Sequence, residues 1–301
     1  MKDGTPQTIA TIAVIGAGTM GHGIAQVAAA AGYRVILRDL DRESLAKGIR
    51  AIERNLDKGM RLGKLTEEDR EQTLQNIRGT TQLDQVATAD LIIEAAPEQL
   101  KLKQDLLRET ESFSSHNFIF ASNTSSLSIS EIASVSSQPS RVVGMHFFNP
   151  VHVMRLLEIV VGKATAPDTV ETVREVGRRM RKEPIIVNDV PGFASSRLGV
   201  ALGLEAMRML EQGVASANDI DKAMELGYNH PMGPLKLTDV VGLDVRLNIA
   251  EYLHRALGSE TFRPPEVLRR MVSEGKLGKK SGEGFYSWRE ETGDARLAQS
   301  S

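Results

Sequence analysis

Short runs of apolar residues, rich in valine and isoleucine, recur through the first two-thirds of the chain. The seven runs cover residues 11–15, 34–38, 91–95, 118–122, 142–147, 156–161 and 185–187. Runs of this length and composition are typical of strands that are buried on both faces. Between several of them the apolar positions change to helical spacing, over residues 21–31, 43–57 and 98–111. Strands that alternate with helices predict an α/β domain with a doubly wound, mostly parallel sheet.

The pattern changes near Asp189, where we expect a domain boundary. After this point the apolar positions keep helical spacing, over residues 193–212, 217–226, 235–257 and 265–273,. We therefore predict a first domain over 1–189 and a smaller all-α domain over 190–301. The charged segment 54–75 interrupts the alternation within the first domain, and Thr66 and Asp69 have the spacing of a helix-capping pair,. We predict a helical hairpin that projects from the sheet; the alternative is a plain surface excursion.

Composition narrows the classes of protein to which the chain can belong. It has 301 residues, of which 41% are hydrophobic and 25% charged, and a formal net charge of −2. No strongly basic surface is implied, so nucleic acid is not a favoured partner. The absence of cysteine excludes disulfides, thiolate metal sites and a cysteine nucleophile. No apolar run reaches the roughly 18 residues that span a bilayer, and the first residues carry no apolar signal core, so we predict a cytoplasmic protein without a membrane partner.

A glycine-rich segment directly follows the first predicted strand and opens the first predicted helix. Its residues are Gly16, Ala17, Gly18, Thr19, Met20 and Gly21. In such a segment the first glycine allows a tight turn, the second lets a pyrophosphate approach the backbone, and the third lets helix and strand pack closely. Asp39, at the end of the second strand, can accept hydrogen bonds from ribose hydroxyls and repel a 2′-phosphate. We therefore predict a Rossmann-type domain that binds NAD in preference to NADP, although Arg38 and Arg42 flank the acid.

A histidine at a strand end is the main candidate for chemistry. Hydride transfer to a nicotinamide leaves the protein to handle a proton, and histidine suits that task near neutral pH. His146 ends a predicted strand, at the edge where open parallel sheets bind ligands. Glu158 lies in the next apolar run, where an acid is costly unless it is paired. A hairpin brings the two together, so we predict an acid/base pair; the alternative is an ordinary core histidine. The histidine spacing predicts no metal site.

Polar residues follow two other predicted strands. Residues 121–126 lie between a strand and a helix and are alanine, serine, asparagine, threonine and two serines. Their hydroxyl and amide groups either contact a ligand or merely cap the helix, with Ser126 or Ser128 as the cap. Glu98 follows the strand at 91–95, and Lys103 lies on the next helix. These two residues either contact the cofactor ribose or are ordinary surface charges of a helix.

Several strings, taken in order, resemble the 3-hydroxyacyl-CoA dehydrogenase family over residues 11–288, and within it most resemble the bacterial 3-hydroxybutyryl-CoA dehydrogenases. The strings are residues 16–21, 97–98, 121–126, 146–150, 191–193 and 280–286. The resemblance implies NAD-dependent oxidation of a short-chain (S)-3-hydroxyacyl-CoA to the 3-ketoacyl-CoA, as in fatty acid metabolism, and the reverse reduction. It also implies a homodimer formed through the all-α domain.

The resemblance implies roles for individual residues as well. His146 is the general acid/base, and Glu158 is its partner. Ser125 contacts the substrate oxygen, and Asn149 lies near the nicotinamide and aligns the histidine. The cofactor contacts that we predict are Gly16, Gly18, Thr19, Met20, Gly21, Asp39, Glu98, Lys103, Asn123 and Asn149.

The substrate contacts that the resemblance implies include one departure from the family. Asn55 and Lys64, in the helical segment, are predicted to hold the coenzyme A portion. Many family members have an asparagine three residues after the phenylalanine of the Pro-Gly-Phe string, where it meets the substrate; here that position is Ser196. A serine offers one shorter hydroxyl, which can reach the substrate directly or through water. The departure bears on the substrate range more than on the reaction type.

Two other functions are compatible with the sequence. The same scaffold serves dehydrogenases of free hydroxy acids or of sugar acids such as gulonate. A relative that binds NAD but has lost catalysis is the second alternative, against which the presence of both His146 and Glu158 argues. Activity without the coenzyme A portion would favour the free acids.

Overall fold

The computed structural model describes residues 7–288, which divide into two compact units between Val190 and Pro191. The first unit is built on one sheet of eight strands in the order β3-β2-β1-β4-β5-β6-β7-β8. The strands are β1 Thr11–Ile15, β2 Arg34–Arg38, β3 Ile77–Thr80, β4 Leu91–Glu94, β5 Ile119–Ser122, β6 Val142–Phe147, β7 Leu156–Val161 and β8 Glu183–Asn188. Neighbouring strands are parallel except β6 and β7, which are antiparallel. The predicted doubly wound, mostly parallel sheet is confirmed.

Helices cover this sheet and bury its short apolar runs. In the described part of the unit they are α1 Gly21–Ala30, α2 Arg42–Arg61, α3 Glu67–Gln75, α4 Leu83–Val86, α5 Leu100–Phe113, α6 Ile129–Ala133 and α7 Pro167–Arg179. Ile12 and Val14 of β1 share a core with Ile24 of α1 and Ile52 of α2, and all four side chains are 0% exposed. Burying a side chain of this size contributes roughly 1.5–3 kcal/mol. The runs therefore form strands because both of their faces lose contact with water.

The charged segment between β2 and β3 forms the helices α2 and α3. Asp41 caps α2 by accepting a hydrogen bond from the backbone N–H of Ser44, and Thr66 and Asp69 form the expected capping box at the start of α3,. α3 packs against α1 as well as against α2. The segment is therefore a helical hairpin that lies against the first helix of the unit.

Three of the strands and α-helices of this unit, β3, α4 and α7, have no counterpart in the sequence prediction. β3 escapes the apolar pattern because Arg78 and Gly79 at its centre are exposed, as suits a strand at the edge of the sheet. α7 escapes it as well, although two parallel strands such as β7 and β8 need a long crossover connection,. β3 and α7 lie toward the two ends of the sheet, and α4 is a single turn of four residues before β4.

The second unit is all-α in the residues that the structure describes, as predicted. Its helices are α8 Ser195–Glu211, α9 Ala217–Gly227, α10 Pro234–Val241, α11 Leu243–Leu257 and α12 Glu266–Ser273. They enclose a separate core that includes Leu204, Leu235 and Leu253. The prediction of one continuous helix over 235–257 is wrong, because Gly242 has φ +106 and separates α10 from α11,. No helix within residues 7–288 is long and apolar enough to cross a membrane; the cytoplasmic location stays a prediction.

Candidate active site

The glycine-rich segment lies at the carboxyl end of β1, at the centre of the sheet. Gly16 has φ +97, and a Cβ there would lie 2.7 Å from the carbonyl oxygen of Ala95, so only glycine fits,. A Cβ on Gly21 would lie 1.6 Å from the carbonyl oxygen of Gly16, so α1 begins directly against the turn. No atom lies within 4 Å of the Cβ position of Gly18, which leaves its backbone open to a ligand. The segment therefore fits a dinucleotide pyrophosphate at the N-terminus of α1.

Asp39 follows β2 directly and lies beside the same turn. Its carboxylate accepts hydrogen bonds from the backbone N–H of Ala17 and from that of Leu40, both at 2.7 Å. Thr19, which is exposed, and Met20, which precedes α1, complete the segment. The acid is thereby held at the glycine-rich turn, an arrangement that Rossmann-type sheets use for ribose recognition.

His146 and Glu158 face each other on the two antiparallel strands. They are register partners in the ladder of β6 and β7, and Nδ1 of His146 lies 2.7 Å from Oε2 of Glu158. The histidine is 7% exposed and the glutamate 0%, a position in which a carboxylate is costly unless it is hydrogen-bonded. The ring of Phe148 packs on the imidazole, with 4.5 Å between the centroids. The sheet therefore sets both the position and the hydrogen-bond partner of the imidazole, as an acid/base group requires.

Glu98, just before α5, organises the polar cluster after β5. Its Oε1 accepts hydrogen bonds from the hydroxyl of Thr124 at 2.7 Å and from the backbone N–H of Ser125 at 2.9 Å. The hydroxyl of Ser125 donates to the same oxygen at 3.2 Å. Partial burial alone would raise the pKa of Glu98, but the Lys103 ammonium and these hydrogen bonds hold its pKa below the usual range,. Glu98 is thus an anion that orients Ser125, while Ser128 is the side chain that caps α6.

Lys103 of α5 is only 1% exposed. Its ammonium donates to Oε1 of Glu94 at 2.7 Å and to the carbonyl oxygen of Ala96 at 3.2 Å, and lies 3.5 Å from Oε2 of Glu98. Glu94, which is 0% exposed, also accepts a hydrogen bond from the Ser122 hydroxyl at 2.7 Å. These acceptors match the three hydrogens of an ammonium. Lys103 therefore ties α5 to the end of β4, and Glu94 links that end to β5. A direct contact of Lys103 with a ribose stays a prediction.

Two asparagines lie at the ends of the neighbouring strands. Oδ1 of Asn123 accepts a hydrogen bond from the backbone N–H of Phe147 at 2.8 Å, which ties the cluster after β5 to the strand that carries His146. Asn149 is exposed and lies on the turn between β6 and β7. The structure thus places Asn123 within the site and leaves Asn149 open to a ligand.

A cavity of about 570 Å³ opens beside the turn that joins β6 to β7. Asn55 and Lys64, the two residues expected to hold coenzyme A, both line it, and the side-chain amide of Asn55 donates to Oε1 of Gln26 at 3.1 Å. The basic residues on its wall outnumber the single acid, Asp69; they are Lys64, Arg155, Arg179, Arg181 and Lys182. This excess of positive charge suits a phosphorylated ligand.

One predicted site residue lies in the second unit, and two residues of the first unit were not predicted. Ser196 is half-buried in the first turn of α8, in the second unit. Sequence reasoning missed Glu94, although it ends an apolar run, the same signal that singled out Glu158. It also missed Lys182, whose ammonium donates to the carbonyl oxygens of Val151 and, at 2.8 Å, Met154. Lys182 fixes the turn between β6 and β7, and nothing in its local sequence marks it.

Family models match both units of the chain. Residues 11–190 match the 3-hydroxyacyl-CoA dehydrogenase, NAD binding domain, and residues 192–288 match the 3-hydroxyacyl-CoA dehydrogenase, C-terminal domain. A probable 3-hydroxybutyryl-CoA dehydrogenase of Deinococcus radiodurans is 45% identical over 275 residues, which are 91% of this chain and 99% of that protein. The 3-hydroxybutyryl-CoA dehydrogenase of Clostridioides difficile is 40% identical over 277 residues, 92% of this chain and 99% of that protein.

A solved structure extends the similarity to three dimensions. The crystal structure of (S)-3-hydroxybutyryl-CoA dehydrogenase from Ralstonia eutropha has a TM-score of 0.91 and 40% identity, and the match covers 94% of this chain and 100% of that chain. The resemblance predicted from the sequence strings is therefore confirmed, and the NAD-binding character of the first domain with it. The chain belongs to the 3-hydroxyacyl-CoA dehydrogenase family.

Proposed function

We propose that this protein oxidises short-chain (S)-3-hydroxyacyl-CoA to 3-ketoacyl-CoA with NAD⁺, and catalyses the reverse reduction with NADH. The observation that carries the proposal is the buried His146–Glu158 pair, with 2.7 Å between Nδ1 and Oε2, in a sheet whose central strand ends in a dinucleotide-binding turn. Family membership supports the substrate class, and the two relatives and the solved structure described above are named for 3-hydroxybutyryl-CoA.

The pair handles the proton of the reaction. Because Nδ1 of His146 is held against the Glu158 carboxylate, the ring carries its proton on Nδ1 and presents Nε2 as the base. Nε2 takes the proton of the 3-hydroxyl, and Glu158 stabilises the imidazolium that forms. Bound NAD⁺, held by the turn at 16–21 and by Asp39, supplies the hydride acceptor. In the reverse direction the imidazolium returns its proton to the carbonyl oxygen.

Three polar side chains are proposed to orient the substrate oxygen and the cofactor. Ser125 is fixed by its hydrogen bonds to Glu98, so its hydroxyl is preorganised to meet the oxygen on C3. Asn149 is exposed on the turn after β6 and is proposed to contact the nicotinamide. Ser196 is proposed to take the place of the family asparagine. The roles of Glu98, Lys103 and Asn123 at the cofactor are proposals of the same kind.

The cavity beside the turn at 152–155 is proposed to hold the coenzyme A portion. Coenzyme A carries a diphosphate and a 3′-phosphate, and charged hydrogen bonds from Lys64, Arg155 and Arg181 would suit these groups,. Asn55 lies on the same wall and is proposed to bind the nucleotide. A substrate without this portion would make none of these contacts, which is why a free hydroxy acid is not favoured.

We further propose that residues 1–189 form the cofactor-binding domain and that residues 190–301 form the domain for substrate binding and dimerisation. The chain would then form a homodimer through its all-α part. Exposed apolar side chains support the dimer. Leu198 of α8 is 72% exposed, Val240 and Val241 of α10 are 45% and 40% exposed, and Val245 of α11 is 39% exposed. Large apolar side chains exposed on three helices are surface that an interface would bury. Light scattering after size exclusion would test it, since a monomer at micromolar concentration would contradict the proposal.

One assay separates the proposed function from its alternatives. Loss of NADH absorbance is measured with acetoacetyl-CoA, with free acetoacetate, and with acetoacetyl-CoA and NADPH. We expect rapid turnover with the thioester and NADH, and far slower turnover in the other two. Equal activity on the free acid would favour a hydroxy-acid or sugar-acid dehydrogenase. Binding of NADH without turnover of any substrate would favour a relative that has lost catalysis.

A further inference from the structure

Glu94 is a buried carboxylate at the end of β4 that takes no part in the proposed proton transfer. It is the register partner of Ile15 on β1, which leads into the glycine-rich turn, and of Ser122 on β5, which leads into the polar cluster. Its side chain is 0% exposed, a position in which a carboxylate is costly unless it is hydrogen-bonded. Glu94 therefore lies between the part of the site proposed for the cofactor and the part proposed for the substrate.

On the cofactor side, Glu94 fixes the turn that follows β4. Its Oε1 accepts a hydrogen bond from the backbone N–H of Ala96 at 2.6 Å, and the carbonyl oxygen of Ala96 accepts one from the Lys103 ammonium at 3.2 Å. This turn packs on the dinucleotide-binding turn, since a Cβ on Gly16 would lie 2.7 Å from the carbonyl oxygen of Ala95. A shift of residues 95–97 would therefore displace the backbone of Gly16 or leave a gap beside it.

On the substrate side, a chain of polar contacts leads from Glu94 to Ser125. Oε1 of Glu94 accepts a hydrogen bond from the Lys103 ammonium at 2.7 Å, and this ammonium lies 3.5 Å from Oε2 of Glu98. The other carboxylate oxygen of Glu98 accepts hydrogen bonds from the backbone N–H and the hydroxyl of Ser125. The position of the ammonium therefore bears on the position of Glu98, and through it on the Ser125 hydroxyl.

A second set of contacts joins Glu94 to the start of the same cluster. Its Oε2 accepts a hydrogen bond from the hydroxyl of Ser122 at 2.7 Å, and that hydroxyl oxygen accepts one from the backbone N–H of Thr124 at 3.3 Å. The backbone carbonyl of Glu94 accepts a hydrogen bond from the backbone N–H of Asn123 at 2.8 Å. Glu94 therefore holds three successive residues at the end of β5, directly before Ser125.

The negative charge of Glu94 is needed for this arrangement as well as its shape. The Lys103 ammonium is 1% exposed, and a buried cation that loses its counterion is strongly unfavourable. Without the charge on Glu94, the ammonium would be drawn toward Glu98, the other carboxylate beside it. Glu98 would then be shared between Lys103 and the polar cluster, and its hold on Ser125 would change.

We propose that Glu94 is a positioning residue for the reaction. Its carboxylate fixes the turn at 95–97 beside the cofactor site and, through Lys103 and Glu98, the hydroxyl of Ser125. Because Glu94 is 0% exposed, it acts through these neighbours and not by contact with a ligand. This inference rests on the proposed dehydrogenase function and on the proposed role of Ser125. It implies that one buried charge supports both the binding of the cofactor and the orientation of the substrate oxygen.

The test compares the wild type with E94Q and E94D. NADH binding is measured by fluorescence titration, and kcat by the reduction of acetoacetyl-CoA at saturating NADH. We expect E94Q to raise the Kd for NADH by about 10-fold and to lower kcat by about 10-fold, the lower end of the range for one hydrogen bond to a charged group. E94D keeps the charge on a side chain that is one methylene shorter, and both of its values should lie between those of E94Q and the wild type. Partial unfolding gives a different result, because it lowers the titration amplitude and leaves Kd unchanged.

E111Q is the matched control for a loss of stability alone. Glu111 lies near the opposite end of α5, and its carboxylate accepts hydrogen bonds from the hydroxyls of Ser136 and Ser137 and, at 2.9 Å, from the backbone N–H of Ser137. E111Q therefore loses a charged acceptor of several hydrogen bonds and should melt at a lower temperature. Its Kd for NADH and its kcat should stay within about twofold of the wild type, because the change is distant from the site.

The S125A background separates the two effects of Glu94. If the carboxylate acts on the substrate oxygen through the Ser125 hydroxyl, E94Q should lower kcat by less than about threefold once that hydroxyl is absent. The effect on the cofactor does not pass through Ser125, so E94Q should still raise the Kd for NADH by about 10-fold in this background.

Two outcomes would overturn the inference. One is a folded E94Q whose Kd for NADH equals that of the wild type, and the other is an E94Q/S125A variant in which the two kcat losses simply multiply. If E94Q does not fold, E94D decides in its place, since it retains the counterion of Lys103; an unchanged Kd and kcat in E94D would then overturn the inference. Absence of thioester turnover in the wild type would contradict the proposed function, while the NADH titration would still decide whether Glu94 supports the cofactor site.

Discussion

Replacing Glu158 with glutamine is the most direct test of the acid/base pair. Glu158 is fully buried, and its Oε2 lies 2.7 Å from Nδ1 of His146. Glutamine has nearly the same shape but no charge. The imidazolium that forms on proton transfer would then lose a carboxylate at hydrogen-bond distance, and the neutral ring could be held in the wrong tautomer.

The size of the effect follows from the geometry. Two unit charges about 4 Å apart interact by about 4 kcal/mol at an effective dielectric constant near 20, and a hydrogen bond to a charged group contributes about 1.5–3 kcal/mol to stability. Taking 3–4 kcal/mol as the loss in the transition state, kcat of E158Q should fall by about 10²- to 10³-fold. The loss belongs to the transition state, so the Kd for NADH should change by less than about threefold.

The assay is steady-state reduction of acetoacetyl-CoA, accompanied by NADH fluorescence titration and by thermal melting. E171Q is the matched control, because Glu171 lies on the exposed face of α7 and its loss should change kcat by less than twofold. E158D keeps the charge on a shorter side chain and should retain more activity than E158Q. A kcat loss below fivefold in a folded E158Q, or a parallel loss of NADH binding, would refute the reasoning.

Three further predictions follow from the same site. G21A should raise the Kd for NADH by more than about 100-fold in a fluorescence titration, because its Cβ would collide with the carbonyl of Gly16 at 1.6 Å,; a change below threefold would contradict the fit. Because folding lowers the pKa of Glu98, the ionised carboxylate stabilises the folded protein. This stabilisation is present above the pKa of Glu98 in the unfolded chain, about 4.3, and is lost as the pH falls through its lower pKa in the folded protein. E98Q should therefore show a shallower loss of melting temperature with acid than the wild type, and parallel curves would contradict this. K64M should raise the KM for acetoacetyl-CoA by about 10-fold but leave that for acetoacetyl-pantetheine unchanged; equal effects on both would remove Lys64 from the coenzyme A site.

Much of the fold follows from local sequence because its strands are buried on both faces. A run such as Leu91–Glu94, with every residue buried, has no other stable place in a folded chain. Edge elements lack this signal: β3 has exposed Arg78 and Gly79 and so cannot be told from a loop. The break at Gly242 is invisible for a related reason, since apolar spacing continues across it and only the backbone angle of +106 reveals the turn.

The candidate site also has one part that local sequence predicts and one part that it does not. The glycine-rich turn is predictable because each glycine has its own steric reason within a few residues of chain. The cavity is not, because its wall comes from three helices, a turn and the end of α7, which are far apart in the sequence. Arg155 and Arg181 line one cavity only because the fold places their elements side by side.

Two buried acids show where sequence reasoning ends. Glu94 and Glu158 both lie in apolar strands, and both are 0% exposed; the cost of burying a lone carboxylate predicts that each has a partner. For Glu158 the partner can be inferred, since a hairpin pairs two adjacent runs and one of them ends in histidine. For Glu94 it cannot, because Lys103 reaches it from a helix, and helical spacing says only which face of α5 is buried. The same burial therefore accompanies the proposed acid/base pair in one place and an ion pair in the other, and the difference lies in whether the partner is an imidazole or an ammonium.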